Sequence, residues 1–150
     1  MFAHPYQGLS ESSELMLSQA HEAQLAFQLP EITPATLLIS LLNDATIQPI
    51  VRYCGVIAGE MQQIIRAYIP VYQQATHNAP LAQDSQLDHV VVIAVDELMR
   101  FGGRGMPVEP IHFLLALIRI NDNEIDPLLK GATLTYEHVK WEYRRSLGMA

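Results

Sequence analysis

The sequence predicts an all-α fold of eight helices, built as two pseudo-twofold-related four-helix repeats within a single domain spanning residues 1–150. Three observations predict it. First, a block is written twice: Ile32-Thr33-Pro34-Ala35-Thr36-Leu37-Leu38-Ile39-Ser40-Leu41-Leu42 returns as Val108-Glu109-Pro110-Ile111-His112-Phe113-Leu114-Leu115-Ala116-Leu117-Ile118, with Pro34 and Pro110 standing 76 positions apart. Second, each copy sets a proline at the start of an apolar run, where the missing N–H costs nothing and the fixed φ suits a first helical turn. Third, each block follows a long segment of helical periodicity and precedes a shorter one that also holds a proline, Pro49 or Pro127. Repeat one covers about 9–69, a linker 70–84, and repeat two about 85–147.

Ser10 is placed to cap the first helix, which runs to about Gln28 with Leu17, Ala20 and Phe27 on its apolar side and Glu14, Gln19, Glu22 and Gln24 facing water. Leu29-Pro30-Glu31 breaks it. The second helix, about Pro34 to Asn43, is apolar nearly all round and is expected to be buried. Thr46 to Cys54 forms the third, closed by Gly55. Ala58 to Tyr68 forms the fourth, with Met61, Ile64, Ile65 and Tyr68 on one face. Pro70, Asn78, Pro80 and the glutamines around them show no sustained periodicity and read as the linker. Asp84 or Ser85 caps the second cycle: Leu87 to Phe101, Pro107 or Glu109 to Ile120, Glu124 to Lys130, and Thr135 to about Leu147. Val90-Val91-Val92-Ile93 reads as helix, not strand, because Leu87, Val91, Ala94, Val95 and Leu98 share a helical face.

Composition narrows the function classes. Hydrophobic residues make up 49% of the chain and charged residues 17%, below the ~25% charged share of ordinary globular domains. Such a balance implies a large helical core or an apolar surface kept for a partner. The net charge of −7, with nine lysines and arginines, argues against nucleic acid as a partner. The single cysteine, Cys54, fits a reducing cytoplasm. The start of the chain lacks the pattern of a signal peptide, and its apolar runs fall short of the ~18 residues of a membrane helix. A cytoplasmic protein without membrane contact is expected.

No catalytic, cofactor or metal set assembles from the residues. The chain has no Gly-x-x-x-x-Gly-Lys-Ser/Thr phosphate loop, and Gly102-Gly103-Arg104-Gly105 reads as a loose helix–helix turn. ATP hydrolysis by that route is therefore excluded. His21-Glu22 has no second histidine at zincin spacing, and Glu137-His138 with Glu142 reads as a solvated helix face. His112 is expected as a packed histidine bonded to backbone. Cys54 is expected as a buried structural thiol, since no base can be paired with it. Trp141 and Tyr143 are expected at the core and rim of repeat two.

The repeated block resembles the N-terminal domain of the Clp-type AAA+ unfoldases, over roughly residues 9 to 147. Each repeat of that family opens with an aromatic–threonine cap, continues through a helix with alanine at its packing face, and then shows Val-Gly-Thr-Glu-His-Leu-Leu-Leu-Gly-Leu-Leu. Leu9-Ser10 stands at the first cap, and the match continues through Met16-Leu17, Ala20 and Ile32 to Leu42. In repeat two, Ala94, Val108, His112 and Leu114-Leu115-Ala116-Leu117 follow, with about two extra residues in the glycine cluster. The resemblance implies a recognition domain for protein substrates or adaptors of a Clp-type remodelling machine.

Ala35 and Ile111 depart from that pattern. They occupy the positions where many members of the family carry glutamates that, with the cap threonines, form phosphoarginine pockets in one branch. The caps here read Ser10 and Asp84. Nothing then pairs a guanidinium, and Asp84 repels a phosphate. The expected ligand is an apolar or amphipathic peptide, bound where the two repeats meet, near Leu9, Ser10, Ala35, Asp84 and Ile111. Two alternatives stay open: a free-standing accessory protein docking on a Clp unfoldase or protease ring, and a small-molecule sensor or enzyme on a helical scaffold.

Overall fold

The computed structural model describes residues 2–76 and 86–148. Eight helices follow one another: α1 Glu11–Ala26, α2 Pro34–Leu41, α3 Ile47–Tyr53, α4 Ala58–Thr76, α5 Gln86–Arg100, α6 Pro110–Ile120, α7 Asp126–Gly131 and α8 Tyr136–Ser146. Among the described residues there is no strand, and one isolated parallel bridge pairs Leu9 with Val108.

The two copied blocks form the centre. All eight residues of α2 are buried, as are the first eight of α6, Pro110 to Leu117. α1 packs on α2 as α5 packs on α6, and α2 and α6 meet each other. Both central helices begin with proline in the first turn and close that turn in the same way. The Thr33 amide donates to Thr36 Oγ1 at 2.9 Å, and the Glu109 amide donates to His112 Nδ1 at 2.9 Å. The side chain three residues into the helix thus satisfies the cap's own N–H in both repeats. A single apolar cluster runs from Met16 and Leu17 through Leu37, Leu38 and Ile65 to Phe113, Leu114 and Val139, so the repeats share one core.

The structure corrects the sequence reading at several places. The linker does not begin at Pro70, because α4 continues through it to Thr76. Met61, Ile65 and Ile69 bury a stripe of successive turns, while Pro70 lies on the exposed side. There its missing hydrogen bond leaves the Arg66 carbonyl to water. Residues 77–85, with the expected caps Asp84 and Ser85, lie outside the described residues. Ile64 and Val95, both expected on buried faces, are exposed, as is Trp141. The glycine cluster is not loose. A Cβ on Gly103 would stand 2.3 Å from Leu98 Cδ1, so the turn closes directly on the α5 end. Gly55, at φ +90°, ends α3 in the left-handed conformation expected of it.

Candidate functional site

The structure builds two junctions at the helix starts where the sequence places a site. At the first, the Val108 amide donates to the Gly8 carbonyl at 2.8 Å, and the Ser10 amide donates to the Val108 carbonyl at 3.0 Å. Ser13 Oγ donates to the same Val108 carbonyl at 2.7 Å. Ser10 Oγ in turn accepts from the Ser13 amide at 3.1 Å, capping α1. The start of α1 is therefore laced to the residue that leads into α6. Leu9 and Ser10 remain half-exposed at this seam. Ile111, one turn beyond Val108, is 4% exposed and belongs to the floor beneath it.

At the second junction, Glu124 from repeat two reaches the start of α2. Its Oε1 accepts the Ala35 amide at 2.9 Å, and Gln73 Nε2 of α4 approaches Oε2 at 3.5 Å. Glu124 is 2% exposed. Burial pushes its carboxyl above the usual range, against the Ala35 N–H, which favours the charged form. The sequence identifies the absence of a carboxylate at position 35. It does not reveal that one returns to the Ala35 backbone from another repeat. Ala35 itself is sealed from solvent.

Of the five residues expected at the site, Leu9, Ser10 and Ile111 thus belong to one seam and Ala35 to the neighbouring one. Asp84 lies outside the described residues. Sequence reasoning missed an apolar stripe on α5: Val92, Val95 and Met99 are 67%, 41% and 52% exposed. Their i, i+3, i+7 spacing places them on one outer face. The spacing shows two apolar faces on α5 but not which of them is covered, and Val95, expected with Leu87, Val91, Ala94 and Leu98, belongs to the outer one. Asp88 begins the same face and accepts the Tyr6 hydroxyl, which ties the segment before α1 to α5. Met106, two residues before Val108, is also exposed.

The residues singled out for possible chemistry are held in structural roles. His112 is buried against Phe101 and Tyr143, with ring centroids 6.3 and 6.2 Å away. Burial lowers its pKa, in keeping with an Nδ1 that accepts a backbone N–H. Cys54 is buried, and burial pushes its thiol up to about 11, opposite to the direction that activates a nucleophile. Glu142 lies 3.9 Å from His138 and 3.8 Å from Arg145, at the long end of ion pairing. Among the described residues, no group of three or more His, Cys, Asp and Glu side chains is placed to hold a metal ion. No helix there is long and apolar enough to cross a membrane.

Comparison with known proteins follows the same lines. The family model of the Clp repeat (R) N-terminal domain matches residues 8–132. Among curated proteins, none matches the chain by sequence. The Hsp104 N-terminal domain from Candida albicans aligns with a TM-score of 0.70 at 15% identity, covering 96% of this chain and 94% of that one. A structure from preliminary structural investigations of a malarial protein secretion system aligns with a TM-score of 0.71 at 16% identity, covering 93% and 94%. At these identities the likeness to the two structures concerns the fold.

Proposed function

The chain belongs to the Clp repeat (R) N-terminal domain family, and from that membership we propose that it recognises protein or peptide substrates, or adaptors, for a Clp-type AAA+ remodelling or proteolytic machine. Membership makes it a Clp-type chaperone N-terminal module, a kind of domain that is not itself catalytic. The proposed contact surface combines the half-exposed Leu9 and Ser10 at the α1–α6 seam with the outer face of α5. The observation that carries the reading is the exposed stripe of Val92, Val95 and Met99. Apolar groups at this spacing suit an amphipathic helix, whose own i, i+3, i+7 anchors lie against them. Ala35 and Ile111 act from beneath, keeping both helix starts apolar rather than touching the ligand. The net charge of −7 on the chain favours a partner with lysine or arginine beside its apolar anchors.

The same geometry disfavours phosphoarginine. At the start of α2 the Glu124 carboxylate is buried and already accepts from the Ala35 N–H and Gln73, so it is not free to pair a guanidinium in place of the glutamate that Ala35 replaces. A basic amphipathic peptide and a phosphoarginine peptide, titrated separately while backbone amide shifts are followed, test the reading. The basic peptide is expected to shift Leu9, Ser10 and the α5 residues. Val95→Glu with Met99→Glu is expected to weaken it roughly tenfold, since both side chains are exposed and even an uncharged polar group left poorly paired on burial costs about 1–3 kcal/mol. Tight phosphoarginine binding at either helix start would overturn the ligand assignment. Shifts confined to α7 and α8 would overturn the placement of the site.

A further inference from the structure

At α8 the charge of the molecule reverses. The whole chain holds 16 acidic residues against nine lysines and arginines, yet Lys140, Arg144 and Arg145 all lie on this 11-residue helix. One of its two glutamates, Glu142, is 7% exposed and contributes little to the surface. Large rings stand out beside these cations. Trp141, the single tryptophan, is 52% exposed, and Tyr53, on α3 where that helix packs on α8, is 65% exposed. The Arg145 guanidinium lies over both, 5.3 Å from the Tyr53 ring centroid and 5.5 Å from that of Trp141. Open depressions flank this stack. One, of about 420 Å³, is lined by Pro49, Ile50, Tyr53 and Arg145 among others; the second, of about 570 Å³, includes Lys140, Trp141 and Arg144.

We propose that this α3–α8 face is a second docking surface, for an acidic protein segment bearing an apolar anchor, with Tyr53, Arg145 and Trp141 as its centre. Tryptophan, tyrosine and arginine are the side chains in which interfaces concentrate binding energy. Stacking between two rings orders the guanidinium before a partner arrives, which lowers the entropy lost on binding. Its contact with Glu142 is long, at 3.8 Å, so N–H groups stay available to a partner carboxylate, the geometry arginine serves best. The charge complementarity selects an acidic segment, since an exposed cationic face on a chain of net charge −7 repels basic partners locally and attracts acidic ones. Nucleic acid fits less well, because Glu137 interrupts the basic side chains and the molecule as a whole repels a long polyanion.

Trp141 reports the event directly, since no other tryptophan contributes to the emission. The probe is a short synthetic peptide of glutamate and aspartate with two leucines. Its controls are the same peptide with lysine in place of every acid, and a single-stranded DNA of equal length. Added to the whole chain at low salt, the acidic peptide is expected to give a saturable change in Trp141 emission that weakens as salt is raised. The double variant Arg144→Glu/Arg145→Glu, at two exposed positions, is expected to bind it at least about tenfold more weakly. Tyr53→Ala, which keeps every charge, is expected to lose affinity as well. Val95→Glu with Met99→Glu leaves this binding unchanged if the two surfaces are separate. Absence of saturable binding, equal binding of the lysine peptide, tighter binding of the DNA, or full affinity in a folded Arg144→Glu/Arg145→Glu variant would each overturn the proposal.

Discussion

Glu124 places a carboxylate against the first turn of a helix 89 positions earlier in the chain, where Oε1 takes the Ala35 N–H. Burial raises its pKa, so the folded protein binds this proton more tightly than the unfolded chain, whose reference value is 4.5. The stability contributed by the group is complete below that pH and is lost as pH rises through the raised value. Glu124→Gln removes the ionisation while keeping an acceptor for Ala35. Its stability is expected to depend less on pH above 4.5, and at neutral pH to equal or exceed that of the native chain. Glu124→Ala leaves a buried N–H without its acceptor and is expected to cost about 1–3 kcal/mol. Denaturant titrations across the pH range check both; a Gln variant with the native profile would remove Glu124 as the source. His112 acts in the opposite sense, since burial lowers its pKa below 6.5 and its contribution is lost as pH falls. Comparing variants at each pH separates the two groups. His112 was legible in the sequence because its partner, the Glu109 amide, is three residues away. Glu124 was not, because no local spacing relates it to Ala35.

At the scale of elements, the α5–α6 connection is decided by one close approach. Gly103 sits where a Cβ would stand 2.3 Å from Leu98 Cδ1 and 3.0 Å from the Leu98 carbonyl oxygen, and its own amide bonds that carbonyl. Gly103→Ala is expected to destabilise by about 1–3 kcal/mol, the usual cost of forcing a methyl into filled space. Gly59→Ala, in the first turn of α4 with nothing within 4 Å of the added Cβ, is expected to be neutral or to stabilise by up to about 1 kcal/mol. Chemical unfolding midpoints of the two variants measure the contrast. Equal effects would show that packing at Gly103 does not set the turn. Glycine content announced a turn in the sequence, but not its tightness, which depends on where Leu98 points. The end of α4 was illegible for a related reason. Proline and glutamine argue locally for a linker, whereas the burial of Ile69 and the reach of Gln73 toward Glu124 are tertiary. Helix existence was readable from periodicity throughout. Which apolar residues of α5 face outward was not, because Val91 and Val92 are the same residue type and differ only in tertiary burial.

On the scale of the whole molecule, the duplicated block predicted the architecture because its copies had to lie together. A helix apolar on every side, such as α2, needs neighbours all round, and among the described elements α6 has the same need over its first eight residues. The shared cluster has a consequence for unfolding. Residues of both repeats fill it, and buried polar ties cross between them at Ser13–Val108 and Ala35–Glu124. Neither repeat can open without exposing the apolar face of the other, so the domain is expected to unfold in one cooperative transition. Leu38→Ala provides the test, since Leu38 is fully buried in repeat one while the fluorescence reporter Trp141 lies in repeat two. The cavity is expected to cost about 2–5 kcal/mol. It should displace the transition seen by Trp141 emission as far as that seen by helical circular dichroism. A variant in which the dichroism shifts while the Trp141 transition stays in place would show repeats that melt separately, with α2 and α6 in contact but not energetically coupled.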